Sequence, residues 1–222
     1  QAPPSPDLPA FIEVRPDQPL TLVLSASHQS PVFLVPPTVA VAEAERDESR
    51  WQQWSDTLIT GPNHRPALVR SFITLQLLTY SPSGAPVAAP STSLPEEIGG
   101  LRNWDYRYAW PRDASIGIAA FLDASKQREA LSFLAWLLHA SRLARPRLPA
   151  LFTLDGRPAA PERELEDWPG YAGSRPVRIG NGAGTQHQLD GYGWVLDAAW
   201  QLTRKGHHFD SETWRTMRAF AD

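Results

Sequence analysis

Pro111 constrains everything around it, because proline cannot extend a β-ladder while its fixed φ suits the first position of a helix. No further proline occurs until Pro146, so a helix is expected to start at Pro111. Its residues Ile116, Ile118, Ala119, Ala120, Phe121 and Leu122 are apolar nearly all round, which marks an inner helix. Before the proline, Trp104, Tyr106, Tyr108 and Trp110 fall on alternate positions. In extended backbone, alternate side chains point the same way, so the four rings share one face and Asp105, Arg107 and Ala109 share the other. One face can stack and the other can pair. Arg112 and Asp113 then fall in the first helical turn, where free backbone N–H groups and the positive end of the helix dipole favour a rigidly held, ionised carboxylate.

Fixed charges beside exposed rings can grip a polyhydroxylated ring. Arg and Asp bond the hydroxyls, and the C–H face lies on Trp or Tyr. Sugar is the ligand this chemistry suggests. The same residues also permit a structural reading, in which Arg112 simply pairs with Asp113 and the alternating aromatics pack a core.

The remaining composition narrows the classes. A chain of 222 residues with 42% hydrophobic content can form one large domain or two small ones. Its net charge of −3 lacks the basic excess of a nucleic-acid binder, and no apolar run approaches the ~20 residues that cross a bilayer, so neither partner is expected. The absence of Cys excludes disulfides, thiolate chemistry and Cys-type zinc sites, and the six His are scattered apart from His207 and His208, so no metal or other cofactor is expected. The opening QAPPSPD shows no export signal, and a cytoplasmic rather than secreted location is expected.

Along the chain, FIEV (11–14), PLTLVLSAS (19–27) and PVFLVP (31–36) read as short strands. From Thr38, an Ala-, Glu- and Arg-rich run reads as a connecting helix with Trp51 and Trp54 on one face. Residues 66–80 suggest a buried helix starting at Pro66. Ser125 can cap a further, outer helix with a stripe of Leu131, Leu134 and Leu138. Residues 144–170, with five prolines and a DG turn, predict a long excursion holding a small hairpin. A helix from Ala183 with Leu189, Tyr192, Leu196 and Ala199 in register should stop at Gly206, and another should begin near Ser211 with Trp214, Met217 and Ala221 on one face. In GYAGSRPVRIGN, Arg175 and Arg178 stand beside glycines that let backbone approach a ligand. They can wall a sugar pocket, or they can make ion pairs with loop carboxylates such as Glu162 or Asp167. No phosphate-binding glycine fingerprint is present.

The run TSLPEEIGG followed by RNWDYRY, Trp110 and RDAS resembles the segment that opens the catalytic domain of glycoside hydrolase family 15, the glucoamylase-like enzymes, in their bacterial form. Similar motifs occur at RSFITLQLLTYSPSGAPVAAP, at Asp155 to Arg157, at Gly170 to Asn181 and at Gln188 to Ala198. The resemblance implies a mainly α fold, a partial (α/α)6 toroid preceded by a few strands of a β-sandwich. Residues 1–60 would be the sandwich tail and connecting helix, and 61–222 the first part of the toroid. It implies inverting exo-hydrolysis of α-linked glucose from oligo- or polysaccharides by the full-length parent, with an α-glucoside as partner. Tyr106, Trp110, Arg112 and Asp113 match positions that hold the terminal glucose, and Arg175 or Arg178 is expected across the same concavity. An α,α-trehalase of the same family, or a carbohydrate-binding piece without chemistry, is the alternative. Among Glu96, Glu97, Asp105, Asp113, Asp155 and Asp190 none resembles the family's catalytic glutamates, which come from later toroid loops, and the chain alone is expected to be inactive.

Overall fold

A computed structural model describes residues 14, 15, 17, 20–25, 31–144 and 147–222. It divides into two compact units, residues 1–56 and 57–222.

In the first unit the regular element is α1, Pro37–Asp56. Its Ala- and Glu-rich sequence favours helix, and Glu43–Arg46 and Asp47–Arg50 pair one turn apart. Trp51 and Trp54 meet edge to face with centroids 5.7 Å apart, as their spacing implies. The expected strands are not all open to comparison: FIEV lies outside the described residues except for Val14, as do parts of PLTLVLSAS. Residues 20–25 and 31–36 belong to no strand. Apolar alternation makes a strand only when a neighbouring backbone takes up its N–H and C=O groups, and among the described residues nothing supplies one to these segments.

The second unit is mainly helical. It contains α2 (Arg65–Leu77), α3 (Pro111–Asp123), α4 (Gln127–Ala144), α5 (Asp190–Arg204) and α6 (Ser211–Ala221). Two antiparallel hairpins complete it, β1 (Thr79–Tyr80) with β2 (Ala85–Pro86), and β3 (Arg163–Leu165) with β4 (Val177–Ile179). The core is built on α3, which packs against both α4 and α5, while α5 packs on α6. Ile118, Phe121, Phe133, Leu137, Val195 and Leu202 are fully enclosed there, and each contributes about 1.5 to 3 kcal/mol by leaving water. Phe121 and Phe133 lock α3 to α4 edge to face at 5.4 Å. The inner character of α3 is therefore as expected, apart from Ile116, which is 47% exposed.

Three helices depart from the sequence reading. α2 starts one residue before Pro66 but buries none of its side chains fully: Phe72 reaches Phe121, while Leu68 and Leu77 stay exposed. In α4 the buried stripe is Ala130, Phe133, Leu134, Leu137 and Ala140, with Leu131 and Leu138 at its edge; Ser125 takes a positive φ of 58° and the helix begins only at Gln127. In α5, Ala183 belongs to a single 3-10 turn, the helix starts at Asp190, and Gly191, Val195, Ala198 and Leu202 face inward, leaving Leu189 73% exposed. α6 begins at Ser211 as read, with Asp210 accepting from the N–H groups of Glu212 and Thr213, both at 2.8 Å. Met217 is buried and Trp214 is exposed. The DG turn is present, with Gly156 N–H donating to Thr153 O at 2.9 Å and Phe152 bridging Pro158. No helix among the described residues is long and apolar enough to cross a membrane.

Candidate functional site

The segment 104–110 runs extended into Pro111 and is held on both flanks. On one, Ser93, Ala89 and Ala88 donate their N–H groups to the carbonyls of Trp104, Tyr106 and Tyr108 at 2.9 to 3.0 Å. On the other, Ala109 and Phe152 exchange both backbone bonds at 3.0 and 2.9 Å. Alternation then separates the side chains. Asp105 and Ala109 are wholly buried. The Asp105 carboxylate takes Nε and Nη2 of Arg107 at 2.9 and 2.8 Å, and Gly180 N–H at 3.1 Å. Asn181 returns a bond from its side-chain nitrogen to Asp105 O at 2.9 Å. This is the pairing face, and it stitches the aromatic stretch to the GYAGSRPVRIGN loop. On the ring face, Tyr108 lines neither of the two hollows described next, and burial pushes its phenol above its usual range, against the Arg107 charge. The other three rings form walls.

Tyr106 and Trp110, 6.0 Å apart between centroids, stand between two hollows. The first, of about 350 Å³, is closed by Ala88, Ala89, Arg112 and Asp113. The second, of about 290 Å³, is closed by Trp104, Glu162, Asn181, Gly182, Ala183 and Gln186. Tyr106, Trp110, Arg112 and Asp113 thus converge as the sequence implied. Pro111 occupies N1, placing Arg112 and Asp113 in the first turn of α3.

Arg112 is steered from two helices. Its Nη1 donates to Asp190 Oδ2 at 3.2 Å and to Gln188 Oε1 at 3.3 Å, while its Nε lies 3.6 Å from Asp113 Oδ1. Asp190 heads α5 as Asp113 heads α3, so two helix starts meet at one guanidinium. Asp190 was readable as a carboxylate in QLDGYGWVLDA, and its place at a helix start was the signal that could have joined it to Arg112. At Asp113 two influences oppose each other. Burial raises its pKa, outweighing the lowering by Arg112, so the site makes the anion harder to form than in water. Trp110, at the N-cap, offers no side-chain bond to this turn.

Neither Arg175 nor Arg178 lines these two hollows. Arg178 is buried behind Trp104, its guanidinium carbon 4.7 Å from the ring centroid, and its Nη1 donates to Leu101 O at 2.9 Å. It pairs with Glu164 at 3.3 Å and Glu162 at 3.4 Å, the structural alternative read from the sequence. Arg175 stands in a third hollow with Trp168, Glu164 and Glu166. Sequence reasoning named Glu162 only as an ion-pair partner, read the segment ending at Asn181 as a wall through its arginines, and did not single out Asn181 or Gln186, because they reach the ring face only through a loop that local pattern does not place. Among the described residues, no group of three or more His, Asp or Glu is placed to hold a metal ion.

The family model of the glycosyl hydrolases family 15 matches residues 62–222, which contain all three hollows' lining residues. The chain belongs to glycoside hydrolase family 15. Its family 15 region is similar to the trehalase of Thermoplasma acidophilum, 40% identical over 164 residues, 74% of this chain and 28% of that protein. It is equally similar to the trehalase of Mycolicibacterium smegmatis, 40% identical over 173 residues, 76% of this chain and 26% of that protein. With the trehalase of Mycobacterium tuberculosis it shares 39% over 173 residues, 76% and 25% of the two chains. The chain spans about a quarter of the length of the curated relatives it matches. No solved structure gives a significant match.

Proposed function

We propose that this chain supplies the glucose-gripping part of a glycoside hydrolase that cleaves α,α-trehalose. The observation carrying the reading is the convergence of Arg112 and Asp113 on the Tyr106–Trp110 pair, in a chain about 40% identical to three proteins named trehalase. Those relatives favour trehalose over the wider set of oligo- and polysaccharides that the sequence motifs first suggested. In this reading one glucose ring lies against Tyr106 and Trp110, and Arg112, held by Asp190 and Gln188, and Asp113 bond its hydroxyls. Residues 61–222 form the first part of the catalytic toroid, and residues 1–60 a sandwich tail with its connecting helix.

Inverting hydrolysis needs a carboxylic acid for the leaving oxygen and a carboxylate for water, roughly 6.5 to 9.5 Å apart. The chain spans about a quarter of the length of these relatives, and we assign that pair to the part of such a protein that it does not cover, so these 222 residues bind sugar without turning it over. The complete protein, assayed with trehalose, maltose and isomaltose, is expected to prefer trehalose in kcat/KM. Efficient glucose release from maltose with none from trehalose would refute the substrate. For the grip itself, 4-deoxy- and 6-deoxyglucose should inhibit more weakly than glucose, each lost bond costing about 1 to 3 kcal/mol. Equal inhibition by all three sugars would refute it.

A further inference from the structure

The third hollow lies on the far side of Arg178. That residue stacks on Trp104, a wall of the second hollow, while its Nη atoms bond Leu101 O and Glu164, which line the third. The buried guanidinium therefore divides the two spaces. The third hollow is set on a rigid base. Leu165 of β3 pairs with Val177 of β4, and Trp168 N–H bonds back to Leu165 O at 3.3 Å. Gly170, at φ 72°, turns the loop so tightly that a Cβ there would overlap the Ser174 carbonyl, which brings Arg175 back beside Trp168. Ser174 is fully buried, its Oγ accepting from Gly99 N–H at 2.9 Å.

Its lining repeats the chemistry of the first hollow. An indole, Trp168, is 61% exposed; a guanidinium, Arg175, and a carboxylate, Glu166, face the same space with no bonding partner among the described residues. Two carboxylates against one uncommitted guanidinium disfavour an anionic ligand. An exposed ring face with free donors and acceptors suits a neutral polyol, and about 280 Å³ is room for one sugar ring. The exposed ring of Tyr171, three residues on, extends the aromatic surface outward.

We propose that the hollow of Trp168, Arg175 and Glu166 is a second saccharide-binding site, independent of the Tyr106–Asp113 hollow. It stacks a glucopyranose ring on Trp168 and bonds its hydroxyls through Arg175 and Glu166. The site holds substrate or product near the protein without touching the reacting bond. It does not depend on the trehalose reading.

The test is a titration of the full 222-residue chain with glucose, trehalose and maltotriose, followed by the indole Nε1–H resonances in NMR. Trp168→Phe assigns the Trp168 signal. Two sets of shifts with separate midpoints are expected. Trp168→Ala deletes that reporter by itself, and there the other set should keep its midpoint unchanged. Arg175→Gln keeps the reporter and should weaken its midpoint at least tenfold, the change that about 1.4 kcal/mol represents, and both residues are exposed, so neither change burdens the fold. Asp113→Asn should remove only the other set, and its failure to do so would count against the glucose grip and not against this site. Failure of any of the three sugars to move the Trp168 resonance would overturn the proposal. So would a single binding event lost in both Trp168→Ala and Asp113→Asn.

Discussion

Replacing Asp105 should loosen the candidate site from behind, and the size of the effect follows from what its carboxylate holds. In Asp105→Ala the buried Gly180 N–H loses its acceptor, at about 1 to 3 kcal/mol. Arg107 loses a bidentate partner, but its side chain is 47% exposed and water replaces the bonds, so that part is about 0 to 1 kcal/mol. The sum, about 1 to 4 kcal/mol, is a drop of roughly 5 to 10 °C in Tm near its middle for a chain of 222 residues. Arg107→Met acts from the other side, leaving a fully buried carboxylate with backbone N–H donors alone. The double variant Asp105→Ala with Arg107→Met removes both charges, so it should cost less than the two single changes added, by about 0.5 to 3 kcal/mol. Urea unfolding followed by circular dichroism gives each value, provided the slope with denaturant stays constant. Additive single variants, or a loss below about 0.5 kcal/mol in Asp105→Ala, would show that the stitch is decorative.

Asp113, raised by burial above its ordinary 3.8, binds its proton more tightly in the folded chain than in the unfolded one. Its contribution therefore favours folding below that ordinary value and is lost as pH rises through the raised one, so Asp113→Asn should raise the urea midpoint at about pH 7 and give no gain near pH 3. An equal gain at both would contradict the sign. Gly117→Ala places a Cβ 2.8 Å from Phe133 Cε2, inside the α3–α4 contact where Phe133 is 1% exposed. Overpacking of about 1 to 3 kcal/mol should exceed the helix-propensity gain of about 1 kcal/mol, and a higher Tm for this variant would mean that Phe133 has room to retreat.

What the sequence disclosed depended on how locally each feature is determined. Pro111, the first turn of α3 and the helix over Pro37–Asp56 are set by residues within a few positions of one another, and they stand where the pattern put them. The face shared by Trp104, Tyr106 and Trp110 also follows from alternation alone. Registers in α4 and α5 shifted because each has apolar residues on more than one side, and the neighbouring α3 decides which stripe is buried. The β3–β4 pairing was not legible, since three-residue strands have no periodicity to read. Arg178 carried the right charge for a ligand but is consumed by Glu162, Glu164 and backbone carbonyls, partners that only the fold supplies. Arg175, four residues after Tyr171 in the same motif, was displaced from the expected hollow by the turn at Gly170.

The stitch between the aromatic stretch and the loop at 178–181 also sets an order in time. Asp105 meets Gly180 across 75 residues, and Ser93 meets Arg178 across 85. A ribosome adding about 5 to 20 residues per second exposes residue 105 roughly 4 to 15 seconds before residue 180 follows. During that interval the Asp105 charge lacks its Gly180 donor and Trp104 lacks the Arg178 behind it. Until Phe152 follows as well, segment 104–110 presents its row of aromatic rings on backbone that the 88–93 segment can pair on one flank only, the kind of surface that chaperones hold and that neighbouring nascent chains can join.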